Sequence, residues 1–384
     1  MTIFMLILIY AAFIGHGLPH STFGSAWPVM QTSFSVDFSA VGIITIVTGT
    51  SNIMAKLISE RIIKLFKTGP TTTFCTAIIV VALVGISFAP SFSWLIAFSI
   101  PLGFARGMMD VGLNSYVALH YKSRHMNWMH CCWSLGVSLC PLILAQYIKY
   151  GENWRGGFRA IGLLECVLAV VLFFSLSLWN QPQETSTIQA NSNFKTPILS
   201  LPGAKYTILV GFIYNGIESS PNVLGSSYFV MAKGLSPGEG AQWMSYYFAA
   251  IAFGRLLAGF ATLRLQGSHI IRLCLITTLF GATLMSSSLP LWACLLGFSL
   301  IGLGCGPIIP CLLHEMPARF GRQYAQQLTG YFLASCVLGA TLLPPIFGYA
   351  VSLGLPMLLF PTMLLILSVI VLAITEQINR IFMK

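Results

Sequence analysis

The sequence predicts an all-α membrane protein with twelve transmembrane helices, arranged as two pseudo-symmetric six-helix bundles. Of its 384 residues, 56% are hydrophobic and only 8% are charged, whereas soluble domains carry about 25% charged residues. The apolar segments are long and continuous, unlike the roughly 10-residue alternating strands of membrane barrels. A helix satisfies its own backbone hydrogen bonds inside lipid, so these segments are predicted to be helices.

The twelve helices follow from the rule that about twenty apolar residues cross a bilayer. The first six are predicted at 3–31, 39–64, 71–90, 92–121, 126–149 and 156–179. The second six are predicted at 204–232, 241–264, 269–288, 290–314, 325–349 and 354–376. A long polar stretch separates the two sets. The predicted domains are therefore an N-terminal bundle at 1–180, a linker at 181–202 and a C-terminal bundle at 203–384.

The distribution of basic residues predicts the orientation in the membrane. Most lysines and arginines, Lys56 among them, are assigned to one set of loops, on the side that also holds both chain ends. Because basic loops stay in the cytoplasm, both termini and the linker are expected there, with the chain spanning a plasma or bacterial inner membrane. Topology and anionic lipid then explain the net charge of +10, so nucleic acid is not an expected partner.

The two predicted bundles share three spacing patterns, which indicates an internal duplication. Both contain two glycines four residues apart, a glycine five residues before a proline, and a Phe-Ile-x-x-Gly run. The matching positions are Gly103 and Gly107 with Gly302 and Gly306, Gly136 and Pro141 with Gly339 and Pro344, and 13–17 with 212–216. Two such halves are typical of proteins that alternate access to a site at the membrane midplane.

The most informative pair of residues is Asp110 and Asn114, in the predicted fourth helix. Their spacing places both on one helix face, one turn apart. An acid at mid-bilayer depth is costly unless it faces a cavity or a partner, so Asp110 is predicted to carry a proton. Two alternatives stay open: a structural ion pair between Arg106 and Asp110, and a purely interhelical hydrogen bond by Asn114.

Two sets of six helices with a polar middle linker resemble the major facilitator superfamily over essentially the whole chain. The loop after the second helix, with Glu60, Arg61 and Lys64, looks like a degenerate copy of that family's gating loop. Arg255, in a Gly-Arg-x-x-x-Gly run of the eighth helix, looks like its counterpart in the second half. The resemblance implies gating roles for these residues, and simple anchoring by positive charge is the alternative.

Three motifs are similar to those of the fucose/glucose proton-symporter branch of that family. They are the acid and amide at Asp110 and Asn114, the run from Asn127 through His130 to Trp133-Ser134-Leu135-Gly136, and Gly216-Ile217-Glu218. The resemblance implies proton-coupled sugar symport, with His130 in the place of a sugar-binding glutamine. That branch also has an acid in its first helix, and this chain has none there, which leaves open the substrate and the number of protons.

The polar residues expected in the site come from both halves. Those predicted to bind substrate are Asn114, His130, Glu218, Asn222, His16, His20, Trp133 and Asn127. Asp110 and Glu218 are predicted to couple transport to protons. Core packing is the alternative for the histidines and Trp133, and pairing with a neighbouring helix is the alternative for Glu218. No third ligand follows the histidines at zinc spacing, so no metal or other cofactor is expected.

The predicted function is therefore a secondary transporter, acting as a monomer, that carries a sugar or similar polyhydroxylated solute with H⁺. The alternative is a drug or metabolite efflux antiporter of the same superfamily. Against it, the fifth helix lacks the glycine-rich ending typical of such antiporters. The sequence contains no P-loop and no H-E-x-x-H or G-x-S-x-G motif, so an enzyme is not expected.

Overall fold

The computed structural model describes residues 3–121, 123–151, 153–179, 198–262, 264–286 and 289–382. All regular elements in these ranges are helical, and they include fourteen α-helices. The predicted all-α membrane fold is thereby confirmed. The predicted linker at 181–202 lies almost entirely outside the described residues, so the division into domains stays a prediction.

Seven α-helices come from each half of the chain. The first seven are α1 (Ile3–Gly17), α2 (Thr22–Phe34), α3 (Ala40–Phe66), α4 (Thr68–Ser87), α5 (Phe92–His120), α6 (Ser123–Lys149) and α7 (Asn153–Phe174). The other seven are α8 (Ala204–Lys233), α9 (Pro237–Ala261), α10 (Gly267–Ser286), α11 (Leu291–Cys305), α12 (Ile308–Phe320), α13 (Arg322–Ser352) and α14 (Phe360–Phe382).

Eleven spans of the described chain are long and apolar enough to cross a membrane. Two of them contain a break: a 3₁₀ turn at Leu18–Ser21 joins α1 to α2, and Gly306-Pro307 separates α11 from α12. Each break contains a proline, which lacks a backbone N–H. The remaining helix, α8, has 30 residues and is also long enough to cross, so the spans match the twelve predicted helices.

The middle of α8 differs from the sequence-based expectation. Gly216 and Pro221 predict an irregular backbone there, and this prediction is wrong, because α8 is one continuous helix. Pro221 removes the backbone donor that would face Ile217 O, and side chains serve the adjacent carbonyls: the Ser220 hydroxyl donates to Gly216 O at 2.7 Å, and the Tyr247 hydroxyl of α9 donates to Glu218 O at 2.8 Å. Membrane helices tolerate proline when such side chains and neighbouring helices satisfy the backbone. Gly216 instead leaves room for the side chain of Leu343 on α13.

The duplicated glycine pairs explain how the helices pack. A Cβ added at Gly107 on α5 would collide with the carbonyl oxygen of Asn52 on α3, and one added at Gly103 would meet the preceding turn of α3. In the second half, a Cβ at Gly306 would likewise collide with the carbonyl oxygen of Ile251 on α9. Small residues let membrane helices approach backbone to backbone, so each half contains the same close crossing.

The two halves contact each other through α6 with α9, α3 with α13 and α2 with α8. At the end of the bundle away from the chain termini, the hydroxyl of Ser226 donates to Ser25 O at 3.1 Å. Nearer the termini, the side chains of Lys56 and Asp110 are 33% and 31% exposed. This pattern is typical of a cleft that opens on the side of the termini.

Candidate substrate and proton site

Two ion pairs, one from each half, lie among the predicted site residues. In the N-terminal half, Lys56 Nζ lies 2.8 Å from Asp110 Oδ2. In the C-terminal half, Arg255 Nη2 lies 3.3 Å from Glu218 Oε1, and these two side chains are only 18% and 14% exposed. Acids inside a membrane are expected to pair or to face a polar cavity, and both acids meet that expectation.

Lys56 is part of the site and not of a loop, so its assignment among the topology-setting loop residues is wrong. It lies on α3 one turn after Asn52, whose side-chain amide donates to Gly103 O of α5 at 3.3 Å. The close crossing of α3 and α5 at Gly107 therefore continues one turn further, where Lys56 meets Asp110. Residues four apart share a helix face, which is why the contact repeats.

Asp110 is linked to His130 through Asn114. The Asn114 amide donates to Asp110 Oδ1 at 2.9 Å and to Asp110 O at 2.8 Å. Its oxygen lies 3.1 Å from His130 Nε2, which donates in this arrangement. The described contacts of the Asp110 carboxylate are thus with Lys56 and Asn114. The structure does not form the alternative ion pair with Arg106.

Arg106 instead contacts the broken first membrane helix. Its Nη2 hydrogen-bonds to Nδ1 of His20, in the 3₁₀ turn at Leu18–Ser21. The His20 ring packs against Trp133 of α6, with ring centroids 5.0 Å apart and planes at 65°. His16 is 5% exposed, and its Nδ1 has no hydrogen-bond partner among the described residues. These residues line the N-terminal side of the site.

Glu218 is held more tightly than Asp110. Besides Arg255, its carboxylate accepts a hydrogen bond from the Tyr214 hydroxyl at 2.9 Å. Its backbone carbonyl accepts another from the Tyr247 hydroxyl at 2.8 Å. Arg255 Nε also donates to Gly306 O at 3.2 Å, at the break between α11 and α12. The second ion pair is therefore fixed by contacts within α8, from α9 and from the break between α11 and α12.

Arg255 also reaches across to the other half. Its Nη1 donates to the hydroxyl of Ser134 on α6 at 2.9 Å, and its guanidinium carbon lies 5.5 Å from the centre of the Trp133 ring. A second link joins Asn222 of α8 to His20 O at 3.5 Å. The predicted site residues of the two halves therefore meet at one place between the bundles.

The remaining predicted residues fall into two groups. Arg61 and Lys64 are exposed on the last turns of α3. The side chains of Glu60 and Asn127 lie outside the described part of the structure. Nothing observed assigns a gating role to this segment, and the gating roles of Glu60, Arg61, Lys64 and Arg255 stay predictions.

Sequence reasoning missed two contributors, Lys56 and Ser134. A signal was available for Lys56, since it stands in an apolar run four residues after Asn52, the spacing that identified Asp110 and Asn114. Ser134 belongs to the Trp133-Ser134-Leu135-Gly136 motif but carries no feature that predicts a partner in the other half. Contacts between bundles depend on docking, which local sequence patterns do not encode.

Glu165 on α7 is a buried acid outside this site. It is fully buried, and neither carboxylate oxygen has a hydrogen-bond partner among the described residues. It packs behind the first helix, against Gly15. No group of three His, Cys, Asp or Glu side chains in the described ranges is placed to hold a metal ion.

Long apolar helices, two of them broken, enclose two ion pairs between two bundles. This arrangement is typical of a membrane transporter with a central polar site. The chain belongs to the Major Facilitator Superfamily, whose family model matches residues 9–344. It is therefore a transporter and not an enzyme, and the predicted family is confirmed.

Among curated relatives, the glucose/mannose transporter GlcP of Bacillus subtilis (strain 168) is 25% identical over 387 residues, covering 97% of this chain and 94% of that protein. An uncharacterized MFS-type transporter, YfkL, from the same organism is 23% identical and covers 59% of this chain and 57% of its own length.

Solved structures share the fold. A bacterial homologue of the human lysosomal transporter Spinster, inward-facing and occupied, has a TM-score of 0.75 at 14% identity and covers 99% of this chain and 97% of its own. The nucleoside transporter NupG has a TM-score of 0.73 at 14% identity, covering 99% and 98%. At this identity the likeness concerns the fold alone.

Proposed function

We propose that this transporter carries a sugar or similar small polyhydroxylated solute together with H⁺, by alternating access between its two halves. The observation that carries the proposal is the hydrogen-bonded series from Lys56 through Asp110 and Asn114 to His130. It joins an exchangeable acid directly to groups that bind hydroxyls. The name of the relative GlcP, a glucose/mannose transporter, supports the same substrate class.

Asp110 is the proposed proton carrier. Protonation removes its charge and therefore competes with the ion pair to Lys56. Both side chains are about one-third exposed, so water in the cleft can deliver the proton. Breaking the pair would loosen α3 from α5 on that side. A proton can shift the balance between two conformations only if it binds them with different affinity, and the Lys56–Asp110 pair provides that difference.

Sugar hydroxyls would be bound by the neighbours of Asp110. The Asn114 amide has two donors and an acceptor, and the His130 ring has one of each when neutral. Both are already oriented toward each other, at 3.1 Å. Trp133 provides an aromatic surface for the apolar face of a ring. Glu218 and Asn222 would complete the site from the C-terminal half, with His16 and His20 on the opposite wall.

The same proposal covers orientation and gating. The cleft opens on the side of the termini, which positive charge places in the cytoplasm of a plasma or inner membrane. Glu60, Arg61 and Lys64 would then gate the cytoplasmic end in a monomeric transporter surrounded by lipid. Efflux of drugs or metabolites by antiport remains the alternative, and no contact in the site favours it over symport.

The test is uptake by purified protein in proteoliposomes. A panel of labelled hexoses, pentoses and deoxyhexoses is offered with and without an imposed pH gradient, acid outside. We expect one member to accumulate only with the gradient, and a protonophore to abolish the accumulation. If uptake of a sugar is unaffected by both the gradient and the protonophore, the proposed coupling to protons is wrong and the proposed substrate class is right.

A further inference from the structure

Arg106 is a cation at the centre of the membrane without an acid partner. It lies at the midpoint of α5, whose 29 residues span Phe92–His120. Its Nη2 contacts a ring nitrogen of His20, and its Nε has no partner among the described residues. Asp110 acts on it electrostatically from the next turn, but Lys56 and Asn114 occupy that carboxylate.

The contact with His20 does not neutralise the charge of Arg106. Arginine has only donors, so the contacting nitrogen of His20 must be an acceptor, and the ring is neutral. The other buried acid of this half, Glu165, packs behind α1 against Gly15 and contacts no described cation. An unpaired cation at bilayer depth is costly, and such residues usually mark a ligand pathway.

Counting the charges of the two ion pairs in the site shows the imbalance. Lys56 is matched by Asp110, and Arg255 is matched by Glu218. Arg106 is then the surplus, one positive charge in the site between the bundles. His20, which contacts Arg106, also accepts a hydrogen bond at its backbone carbonyl from Asn222 of α8, so the surplus lies where residues of the two halves meet. A substrate with one negative charge would neutralise it.

We propose, building on the proposed function, that the transported solute is a hydroxylated monocarboxylate, a sugar acid, and that Arg106 binds its carboxylate. A guanidinium presents parallel N–H groups that match the two oxygens of a carboxylate. Asn114, one turn beyond Asp110 on the same helix, and His130 are left to bind the hydroxyls. The acid end of the solute faces Arg106 and His20, and the hydroxylated end faces Asn114 and His130.

The experiment compares three hexose derivatives that differ at one carbon. Glucose, glucuronate and glucose 6-phosphate are titrated onto the purified wild-type protein in nanodiscs, and transport of each is measured in proteoliposomes. We expect glucuronate to bind roughly 10- to 100-fold more tightly than glucose, the range for one charge-assisted contact. Tightest binding of glucose overturns the inference and leaves the proposed function intact, whereas tightest binding of the phosphate overturns the carboxylate assignment.

Two variants assign the effect to Arg106. In Arg106→Gln, glucuronate should lose its advantage over glucose, so that the two dissociation constants become similar. Arg159→Gln is the matched control, because Arg159 is an exposed guanidinium on α7, and it should keep the full preference. An unchanged preference in Arg106→Gln overturns the role of Arg106. If wild type binds none of the three compounds, both the sugar class and this inference fall.

The thermal stability of Arg106→Gln shows whether a change in binding could result from misfolding of the variant. Removing an unpaired cation from the membrane should leave the melting temperature unchanged or higher. A large decrease would mean that Arg106 holds the fold together through His20, and this outcome also overturns the inference. A conservative variant, Arg106→Lys, should retain a weaker preference for glucuronate, because lysine keeps the charge but not the planar pair of donors.

Discussion

The two halves of the transporter place a cation at the same point of their shared scaffold and then pair it differently. Lys56 comes four residues after Asn52, whose carbonyl meets Gly107. Arg255 comes four residues after Ile251, whose carbonyl meets Gly306. The duplicated helix crossing therefore sets the depth of both cations.

The acids, in contrast, are not equivalent. Asp110 lies on the crossing helix α5 itself, whereas Glu218 lies on α8, outside the crossing pair. The first pair is about one-third exposed and the second is less than one-fifth exposed. The same crossing thus carries two different pairs: an accessible one within the N-terminal half, and an enclosed one within the C-terminal half whose arginine also contacts Ser134 of α6.

The largest expected effect concerns the accessible pair. In Asp110→Asn the amide keeps the shape but cannot exchange a proton. Accumulation driven by a pH gradient should disappear, while exchange of labelled for unlabelled substrate across the membrane continues. Both are measured in proteoliposomes. Gradient-driven accumulation at the wild-type level would remove Asp110 from the proton pathway and erase the functional difference between the halves.

The next largest effect concerns the enclosed pair. Arg255→Gln leaves Glu218 charged without its partner, and breaking a buried pair costs roughly 3–5 kcal/mol. The equivalent Lys56→Gln should cost less, about 1 kcal/mol, since an ion pair that water can reach contributes little. Thermal unfolding in one detergent compares the two directly. The double variant Glu218→Gln/Arg255→Gln should recover part of the loss, and equal losses in the two single variants would contradict the comparison.

A smaller effect is expected for substrate affinity. His130→Ala removes one hydrogen-bonding group from the hydroxyl end of the site. Affinity should fall roughly 3- to 10-fold, the range for one neutral hydrogen bond. Calorimetry on monodisperse protein measures it, with Cys132→Ala on the same helix as a control for general disturbance. A loss in the control as large as that in His130→Ala would show that α6 itself has been disturbed.

The smallest effect concerns the link between the halves. Ser134→Ala removes the hydroxyl that accepts from Arg255, which should shift the equilibrium away from the conformation described here by about 1 kcal/mol. Distances between spin labels on α6 and α9 report that shift. Ser138→Ala is the matched control, because the Ser138 hydroxyl donates within α6, to Ser134 O at 2.8 Å. Identical distance distributions in both variants would rule out a conformational role for the link.

Much of this arrangement could be predicted from the sequence. Hydropathy located the membrane helices, and the spacing of Asp110 and Asn114 located the polar face of α5. Asp110 and His130 are joined through the side chain of Asn114, whose rotamer depends on packing that the sequence pattern does not contain.

The missed features have a common cause. Composition alone assigns Lys56 to the topology-setting loops, because it does not indicate which face of a helix a residue occupies. The helix α8 continues past Pro221, where side chains of α8 and α9 donate to its backbone carbonyls, and a rule based on proline alone ignores such contacts. The contact from Arg255 to Ser134 joins residues 121 positions apart. Tertiary packing, and not the periodicity of the sequence, decides which face of a helix lines the site, which rotamer a side chain adopts and how the two halves dock.

The paired glycines predict which positions of the chain tolerate mutation. Alanine at Gly107 or Gly306 would place a methyl group against a backbone carbonyl of α3 or α9, which cannot move aside. Alanine at Gly259 or Gly330 meets nothing within 4 Å. The same one-carbon change is thus forbidden at the first two positions and free at the others. Whether a glycine of this chain tolerates substitution by alanine therefore indicates whether its helix packs directly against another helix.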